Sequence, residues 1–582
     1  MSYTKRIAPL KWVLDDEPDA ALIAGLIEEC DLPGQVVKVL VKRGIDSAET
    51  IQRFLRPQMV DLRDPYDMTS MREGIDRVTQ AFCNNEKMVI YGDYDVDGIT
   101  ATTLLYMVLS KLGGDVIFYL PNRLVEGYGL SKDGIDQAKD AGVSLIITVD
   151  TGITAIEEVE YARSVGVDVI VTDHHEPGEK IPDAVAIINP KTDGERYPDE
   201  LSGVGVAFKF AQALYQSHSQ DERDLEEHLD LVAMGTAADI VPLVGENRVL
   251  TKFGIRQIAR TTKPGLKSLT FVSGLMGKDI STGQVVFILA PRINALGRLG
   301  AAGEAVRLLS TRDEQVAAEI ARKLDEENKR RKAIDETTLK EALAQIQEIV
   351  DLDNDRAIIL SGEGWHQGVI GIVASRIVER YHLPTIMISV TDGVGKGSAR
   401  SIPGFHLCEA LKECEHLLIK YGGHKYAAGL SIRDDQITEF REAFKKVSIK
   451  HLTNEDIAPK LHIDLEIELT EINDDLMQTF EEFSPFGPQN MRPVFLTRNC
   501  EVVGQPYIVG KNHLKMRVRK GDPVFDVIGF GFGHMASLIS DKGCLVDLAY
   551  VIEYNTYNDV TRKQLRLKDI KLTAGNLSTG FA

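Results

Sequence analysis

The sequence has few cysteines, no long apolar run and no excess of positive charge. None of the 582 residues belongs to a run of 18 or more apolar residues, so we predict no membrane-spanning helix. The first residues, MSYTKRIAPLKWVLDDEPD, include no apolar signal core. The six cysteines form no CxxC pair, which argues against a zinc ribbon or a disulfide framework and favours the reducing cytoplasm.

The negative net charge does not exclude nucleic-acid binding. The formal net charge is -20, which by itself argues against a nucleic-acid-binding protein. Binding depends on local patches rather than on the total charge, and carboxylates that bind metal ions add to the negative count. The hydrophobic fraction of 43% and charged fraction of 26% are those of ordinary globular proteins. A chain of this length predicts several domains.

The most informative stretch is residues 88–104, MVIYGDYDVDGITATTL. Residues 88–91 predict a short buried strand and residues 100–112 a helix. Between them stand Asp93, Asp95 and Asp97 at alternate positions, followed by Gly98. Carboxylates this close repel one another unless a cation lies among them. The alternatives are a solvated acidic loop or an EF-hand fragment, but an EF-hand needs a glutamate further on that is missing.

Two more acidic groups follow predicted strands. SLIITV leads directly into Asp150, and DVIVT leads into Asp173-His174-His175. Residues 85–190 alternate strand and helix, which predicts βαβ units and a buried parallel sheet. Ligands bind at the carboxyl ends of such strands, so these side chains should meet there. Asp239 follows a helix that we expect to break at Gly235, and it is either a further acidic ligand or a helix N-cap.

The predicted ligands indicate the kind of metal. Carboxylates with one or two imidazoles and no thiolate suit Mn²⁺ or Mg²⁺ rather than structural Zn²⁺. Four or five carboxylates exceed what one ion needs. Two ions roughly 3.5–4 Å apart are the arrangement used for in-line displacement at phosphorus.

The motifs YGDYDVDGIT, VDTG, VTDHHEP and GTAADIVPL, in this order, resemble those of the DHH phosphoesterase superfamily. With PRINALGR (291–298) and GGHKYAAG (422–429), the chain resembles the RecJ family of single-strand-specific DNA exonucleases over nearly its whole length. The resemblance implies two bound ions, with Asp150 bridging them and with these ligands: Asp95, Asp97, Asp150, His174 and Asp239. It also implies catalytic roles for His175, at the scissile phosphate or its water, and for Asp173 behind it. Asp93 is also assigned to catalysis, and we expect it to compensate for Tyr91, which stands where some relatives carry histidine.

A further set of residues is predicted to bind nucleic acid. Most are basic or lie in glycine-rich motifs, where backbone amides approach phosphates closely. PRINALGR is read as a loop, with a surface salt-bridged turn as the alternative. Three basic residues alternate along one C-terminal strand and so share a face. The set is Arg292, Asn294, Arg298, Arg376, Ser398, Arg400, Gly422, Gly423, His424, Lys515, Arg517 and Arg519. Tyr507, Phe530 and Phe532 are candidates for base stacking.

The predicted architecture is two α/β domains joined by a long helix, followed by a β-barrel of the oligonucleotide-binding (OB) type. The middle of the long helix, DEENKRRK, is polar all round and is expected to cross solvent. The alternative is a helical hairpin with a turn in this polar middle. The expected regions are a helical N-terminal region (1–80), a DHH catalytic domain (81–310), a connecting helix (311–350), a DHH-associated domain (351–455), the OB barrel (456–575) and a tail (576–582).

The resemblance implies a 5′-to-3′ exonuclease that degrades single-stranded DNA to mononucleotides in DNA repair and recombination. It also implies a single-strand-binding protein and a helicase as partners. We expect a cytoplasmic monomer. Two alternatives stay open: a phosphodiesterase of oligoribonucleotides or cyclic dinucleotides, and a non-catalytic single-strand DNA-binding scaffold.

Overall fold

The computed structural model describes residues 9–122, 126–127, 129–297, 302–541, 543–557 and 560–573. The chain forms two compact units. Unit 1 contains Met1–Ser47, Arg330–Glu481 and Pro493–Ala582, and unit 2 contains Ala48–Lys329 and Glu482–Arg492. Within the described ranges, every helix is too short or too polar to cross a lipid bilayer.

The N-terminal region is mainly helical, as its apolar spacing predicts. Asp19 begins the first helix by accepting a hydrogen bond from the Leu22 N–H at 2.8 Å, the usual role of an N-cap aspartate. The elements are β1 (Lys11–Leu14), α1 (Ala20–Cys30), α2 (Gly34–Lys42), α3 (Ala48–Leu55) and α4 (Met71–Asn84).

The predicted parallel sheet is present in unit 2. Its strands run in the order β3-β2-β4-β5-β6, and every pair is parallel. Met88 and Ile90 pack in one core, whereas Val89 and Tyr91 pack in a second core on the other face, so both faces are covered. The elements are β2 (Lys87–Gly92), α5 (Val96–Lys111), β3 (Asp115–Tyr119), α6 (Lys132–Asp140), β4 (Val143–Val149), α7 (Ile156–Ser164), β5 (Asp168–Thr172) and β6 (Ala186–Ile188).

Helices complete unit 2. Two expectations are wrong here. The helix before Asp239 does not break at Gly235, and PRINALGR lies in a helix rather than a loop as far as Gly297. A π-helical turn, Val285–Leu289, precedes that helix. The helices are α8 (Pro190–Asp193), α9 (Gly203–Ser217), α10 (Leu229–Asp239), α11 (Gly245–Arg260), α12 (Pro264–Val272), α13 (Thr282–Gln284), α14 (Ala290–Gly297) and α15 (Ala302–Ser310).

The predicted long helix is a continuous helix, α16 (Glu314–Ile349). Its middle is solvated only in part: Lys329, Arg330 and Lys332 are exposed, whereas Asp325 and Asn328 are 8% and 1% exposed. Asp335, just beyond this stretch, is 8% exposed. Asp325 pairs with Arg292 in unit 2, and Asp335 pairs with Arg376 in unit 1. These ion pairs explain how charged side chains are tolerated in buried positions.

The second α/β domain follows α16 and lies in unit 1. Its sheet has the order β10-β11-β9-β8-β7, in which β7 and β8 are parallel and the other pairs antiparallel. The elements are β7 (Ile358–Glu363), α17 (Gln367–Tyr381), β8 (Thr385–Thr391), β9 (Val394–Arg400), α18 (Leu407–Glu413), β10 (Lys420–Gly423), β11 (Ala427–Arg433) and α19 (Ile437–His451).

The predicted C-terminal barrel is also present. The sheet order β13-β14-β15-β16-β18-β17 is closed by an additional pairing of β14 with β17, which removes the exposed edges. The short strand β12 (Lys460–Ile463) pairs in parallel with β1. The remaining elements are β13 (Leu465–Glu466), α20 (Asp474–Glu482), β14 (Phe495–Val509), β15 (His513–Arg519), β16 (Val524–Gly529), β17 (Leu545–Tyr557) and β18 (Val560–Leu572). The fold class is therefore as predicted.

Candidate metal centre at the carboxyl edge of the parallel sheet

The register of the parallel strands brings the predicted acidic groups to one edge. Gly92 pairs with Val149, and Val149 pairs with Thr172, so β2, β4 and β5 end side by side. The next residues along the chain are Asp93, Asp150 and Asp173. The edge thus collects carboxylates from three parts of the sequence, as expected for parallel strands.

The first acidic stretch is held by two helix N-termini. Asp95 is the N-cap of α5 and accepts hydrogen bonds from the N–H groups of Asp97 (2.9 Å) and Gly98 (3.2 Å). Asp97 is buried and accepts from the N–H groups of Gly203 (2.6 Å) and Val204 (2.9 Å), at the start of α9. Unpaired amides at a helix N-terminus stabilise a carboxylate. Both aspartates are therefore fixed in orientation by backbone donors.

The aspartate after β4 has an unusual backbone. Asp150 has φ 60°, a left-handed conformation that aspartate tolerates better than most residues. A Cβ atom on Gly203 would lie 2.6 Å from Asp150 Oδ1, so α9 approaches this carboxylate closely because residue 203 is glycine. Asp150 is itself 2% exposed.

The side chain of His174 lies close to three of the acidic residues. Its Nε2 atom lies 3.0 Å from Asp150 Oδ1, 3.6 Å from Asp239 Oδ2 and 4.0 Å from Asp97 Oδ2. Asp239 is the last residue of α10 rather than a helix N-cap. The alternative that we left open for Asp239 is therefore excluded, and its carboxylate points into the cluster.

Asp173 and His175 form a pair beside this cluster. Asp173 Oδ1 lies 2.8 Å from His175 Nδ1 and accepts from the N–H groups of His174 and His175, while Oδ2 accepts from the Ile153 N–H. With the proton on Nδ1, His175 donates to Asp173, and Nε2 becomes the proton-accepting atom of the ring. Asn189, which the sequence did not single out, donates from Nδ2 to the His175 carbonyl at 3.0 Å.

Burial and charge shift the pKa values of these groups in opposite directions. Burial first, and then the neighbouring carboxylates, raise the pKa values of Asp97 and Asp150 well above the ordinary range. Burial lowers the pKa of His174, which favours its neutral form. Burial would also lower the pKa of His175, but the hydrogen bond and the charge of Asp173 outweigh it and raise that pKa.

The donor set fits divalent cations that prefer oxygen and imidazole. Among the residues that the structure describes, three groups have ligand atoms within 4.8 Å of one another: Asp150-His174-His175, Asp97-His174-Asp239 and Asp93-Asp95-Asp150. His174 Nε2 is buried and makes no hydrogen bond within the described residues, although carboxylates surround it. Carboxylates this close together, with an imidazole nitrogen among them that makes no other hydrogen bond, are typical of an Mn²⁺ or Mg²⁺ site. Asp150 and His174 each belong to two of these groups.

Tyr91 has a different environment from the metal cluster. It is fully buried, and its hydroxyl lies 3.4 Å from both the Gly129 carbonyl and Ser131 Oγ. Asp93, in contrast, belongs to one of the acidic groups. Compensation by Asp93 for the missing histidine stays a prediction.

The predicted nucleic-acid-binding residues in and after α14 differ in their exposure and contacts. Arg292 is 12% exposed at its side chain, lies 2.9 Å from Asp325 Oδ1 and donates to the Ile288 carbonyl. Asn294 is half-buried, and Arg298 lies outside the described residues. A Cβ atom on Gly297 would lie 2.4 Å from the Tyr94 carbonyl oxygen, so the end of α14 contacts the acidic stretch directly.

The predicted phosphate-binding residues of the second α/β domain lie on neighbouring strands. Ser398 pairs with Gly429 across β9 and β11, and Gly429 pairs with Gly422 on β10. Arg400 donates from Nη1 to Ser398 Oγ at 3.2 Å, and His424 is exposed just after β10. These residues and Gly423 therefore occupy one part of the sheet. Arg376 lies on α17 and pairs with Asp335 at 3.0 Å.

The side chains of β15 alternate between outward and buried positions, as its sequence predicts. Lys515, Arg517 and Arg519 point outward, whereas the residues between them are buried. Arg519 pairs with Glu501 at 2.7 Å. Among the aromatic candidates, Tyr507 and Phe530 are 55% and 57% exposed, and Phe532 is half-buried.

Comparisons with known proteins agree across these regions. Residues 87–236 match the family model of the DHH family N-terminal domain, residues 354–449 the DHHA1 domain and residues 463–569 the RecJ OB domain. The chain is 39% identical to the single-stranded-DNA-specific exonuclease RecJ of Bacillus subtilis (strain 168), over 98% of this chain and 72% of that protein.

Two solved structures are similar along almost the whole chain. The crystal structure of RecJ in complex with Mn²⁺ from Thermus thermophilus has a TM-score of 0.84 and 28% identity, covering 97% of this chain and 80% of that one. The corresponding complex with Mg²⁺ has a TM-score of 0.77 and 26% identity, covering 97% and 79%.

Proposed function

The chain belongs to the RecJ family of single-stranded-DNA-specific exonucleases, and we propose the following mechanism for it. It is a metal-dependent exodeoxyribonuclease that acts on single-stranded DNA. The observation that carries this function is the cluster of carboxylates around His174 at the sheet edge, with Asp150 shared between two candidate ligand groups. We infer that the enzyme works from the 5′ end and releases mononucleotides.

Each residue of the cluster has a separate task in this proposal. Asp95, Asp97, Asp150, His174 and Asp239 would hold two Mn²⁺ or Mg²⁺ ions, and Asp150 is common to two of the candidate ligand groups. When bound, the ions supply a water of lowered pKa and Lewis-acid stabilisation of the phosphoryl oxygens. The N–H groups of Gly203 and Val204 support this assignment, because they keep the Asp97 carboxylate in one orientation.

His175 is assigned to proton transfer and contact with the scissile phosphate. Its side chain is 39% exposed, and its Nδ1 atom is held by Asp173. Nε2 is then the atom that accepts a proton from the attacking water or donates to a phosphate oxygen. Asp173 acts through His175, and Asp93 adds a carboxylate beside Asp95 and Asp150.

The DNA strand is proposed to contact three sets of residues. The first is Arg292, Asn294 and Arg298 in and after α14. The second is in the DHH-associated domain (Arg376, Ser398, Arg400, Gly422, Gly423 and His424). The third is the outward row of the barrel (Lys515, Arg517 and Arg519). Arg292 and Arg376 already pair with aspartates. To bind DNA, each must therefore exchange its aspartate for a phosphate, or else position neighbouring residues that contact the DNA.

The wider setting is also proposed from the family. The protein would act in DNA repair and recombination, in the cytoplasm, as a monomer, together with a single-strand-binding protein and a helicase. The free thiols of its six cysteines support a reducing compartment. The domain limits stated above, 81–310, 351–455 and 456–575, are proposed as its functional regions.

A labelled single strand tests the activity and its polarity. Long single-stranded DNA carrying the label at either end is incubated with Mn²⁺ and with wild type, Asp95→Ala or Asp279→Ala. Asp279 is an exposed aspartate far from the cluster in sequence. We expect immediate release of labelled mononucleotide from the 5′ label only, loss of release in Asp95→Ala, and normal release in Asp279→Ala. First release from the 3′ label would overturn the polarity, and cleavage confined to very short oligonucleotides would overturn the substrate class.

A further inference from the structure

One short segment belongs to unit 2 although its neighbours in sequence belong to unit 1. We call Glu482–Arg492, which begins at the last residue of α20 and ends before β14, the strap. It packs with Ala48–Lys329, the part of the chain that carries the metal centre. Its placement in unit 2 therefore requires a separate explanation.

Arg248, in the first turn of α11, holds one end of the strap. It donates from Nη2 to the Glu482 carbonyl at 2.8 Å, from Nη1 to the Phe483 carbonyl at 2.6 Å, and from Nε to the Phe54 carbonyl at 2.8 Å. Its guanidinium carbon also lies 4.0 Å from the centre of the Phe54 ring. The side chain is 2% exposed, so these charge-assisted hydrogen bonds form away from water.

Asn490 closes the strap on itself. Its Nδ2 atom donates to the carbonyls of Phe483 at 2.8 Å and Pro485 at 2.7 Å. Its backbone exchanges hydrogen bonds with Gly487 at 3.0 and 2.9 Å. Asn490 is fully buried. One side chain thus satisfies two carbonyls and fixes the shape of the turn between them.

The closed strap contacts the loop that follows Asp239. The Leu243 N–H donates to the Pro488 carbonyl at 2.9 Å. A Cβ atom on Gly487 would lie 2.6 Å from Leu243 Cδ1, so the strap backbone and this side chain are in tight contact. Thr282 Oγ1 donates to the Phe486 carbonyl at 2.6 Å, which ties the strap to α13 as well.

This loop begins in a conformation that its sequence disfavours. Ile240 has φ 64° and ψ 29°, the left-handed region, which β-branched side chains rarely adopt. Its side chain is 61% exposed, so burial of that side chain contributes little to holding it there. Asp239 is the preceding residue, and its Oδ2 atom lies 3.6 Å from His174 Nε2. The contacts of Leu243 with the strap hold the far end of the loop.

We propose that the strap is a positioning element for the metal centre, acting on Asp239 through the loop 240–244. Arg248 and Asn490 hold the strap, and the strap holds Leu243, so that Ile240 stays left-handed and Asp239 stays directed at His174. The proposal rests on the proposed metal centre. It adds that a segment next to the barrel in sequence tunes metal affinity without touching the metal.

Direct Mn²⁺ binding by the full-length protein tests this role. Asn490→Ala removes two hydrogen bonds of the strap. Titration calorimetry and the electron paramagnetic resonance of bound Mn²⁺ should show affinity lowered by about 10-fold, the size found for residues that orient ligands. Exonuclease activity should recover at saturating Mn²⁺. Adding Ile240→Gly should restore part of the affinity, because glycine adopts the left-handed conformation readily.

Asn512→Ala is the matched control, since Asn512 donates from Nδ2 to the Gly531 carbonyl in the barrel. It should lower the thermal midpoint without changing Mn²⁺ affinity. If Asn490→Ala does not fold, Gly487→Ala replaces it, because the added Cβ presses on Leu243 and removes none of these hydrogen bonds. Wild-type Mn²⁺ affinity in the folded variant overturns the inference. Wild-type protein that binds Mn²⁺ no better than Asp150→Asn would instead overturn the metal centre itself.

Discussion

At the scale of single residues, the chemistry depends on how neighbours orient two histidines. His174 is surrounded by carboxylates, and burial lowers its pKa, which favours the neutral form that a metal ligand needs. His175 is directed by Asp173, whose carboxylate collects four hydrogen bonds. His174 and His175 are neighbours of the same type, yet their surroundings give them different roles. The local sequence does not show this difference.

Asp173→Asn should therefore damage turnover more than metal binding. Loss of the carboxylate removes the charge that stabilises protonated His175, so we expect kcat to fall by about 10–100-fold with Mn²⁺ affinity close to wild type. Single-turnover assays and Mn²⁺ titration measure the two quantities. Asp183→Asn, which disturbs only an exposed pair with Arg163, is the control. An equal loss of Mn²⁺ affinity and turnover would contradict the separate role of Asp173.

The raised pKa values of Asp97 and Asp150 predict a pH dependence of metal binding. Burial and mutual repulsion favour their protonated forms when no cation is bound. A divalent cation must displace those protons, so affinity should rise as pH rises and binding should release protons. Calorimetry in two buffers of different ionisation enthalpy measures the release. Binding that is independent of pH and of buffer would show that the carboxylates are already ionised.

At the scale of elements, the metal centre depends on helices whose backbones pass very close to one another. α10 passes Asp97 so closely that a Cβ atom on Gly235 would lie 2.6 Å from Asp97 Oδ1 and 2.4 Å from Thr100 Oγ1. The expectation of a helix break at Gly235 was wrong for this reason. The glycine serves packing between α10 and α5 rather than a change of direction, and helix propensity alone does not distinguish the two.

Two glycine substitutions should consequently have opposite effects. Gly235→Ala should destabilise unit 2 and weaken Mn²⁺ binding, since the new methyl group displaces Asp97 from the α9 amides. Gly25→Ala lies within α1 with nothing within 4 Å of the added Cβ, so it should stabilise by about 0.5–1 kcal/mol. Urea unfolding with and without Mn²⁺ compares them. Equal stabilisation by both would show that α10 can move away from α5.

At the scale of the whole molecule, sequence order and structural units do not coincide. The strap follows residues of unit 1 and precedes the barrel, yet it packs in unit 2. A truncation before residue 482 would therefore remove part of the catalytic unit together with the barrel. Substitutions on the barrel surface separate DNA binding from the chemistry more cleanly than a deletion does.

Replacing Lys515, Arg517 and Arg519 together by alanine is such a test. If this outward row contacts the DNA backbone, affinity for long single strands should fall, and the slope of log K against log salt should decrease by about 0.7 for each lost phosphate contact. Hydrolysis of a dinucleotide should be unchanged. Alanine at Lys132, Lys139 and Lys180, which are also exposed, is the control. Unchanged salt dependence would place the DNA elsewhere on the barrel.

Local sequence patterns were enough to predict most of the elements and the acidic edge of the parallel sheet. Strand periodicity, the residues that follow each strand and the parallel arrangement were sufficient, because strands of one parallel sheet end at the same edge. Asp93, Asp150 and Asp173 could be assigned to it without coordinates. The barrel and the long helix followed from equally local patterns.

Long-range packing sets how the side chains at that edge are held. Asp97 accepts from Gly203, 106 residues away, and Arg248 donates to Phe483, 235 residues away. Periodicity reports the conformation of neighbours along the chain and carries no information about which distant backbone approaches which side chain. The α9 amides, the close passage of Gly235 and the strap therefore emerged from packing. The chemistry of the site depends on local sequence, and its geometry is set by long-range contacts.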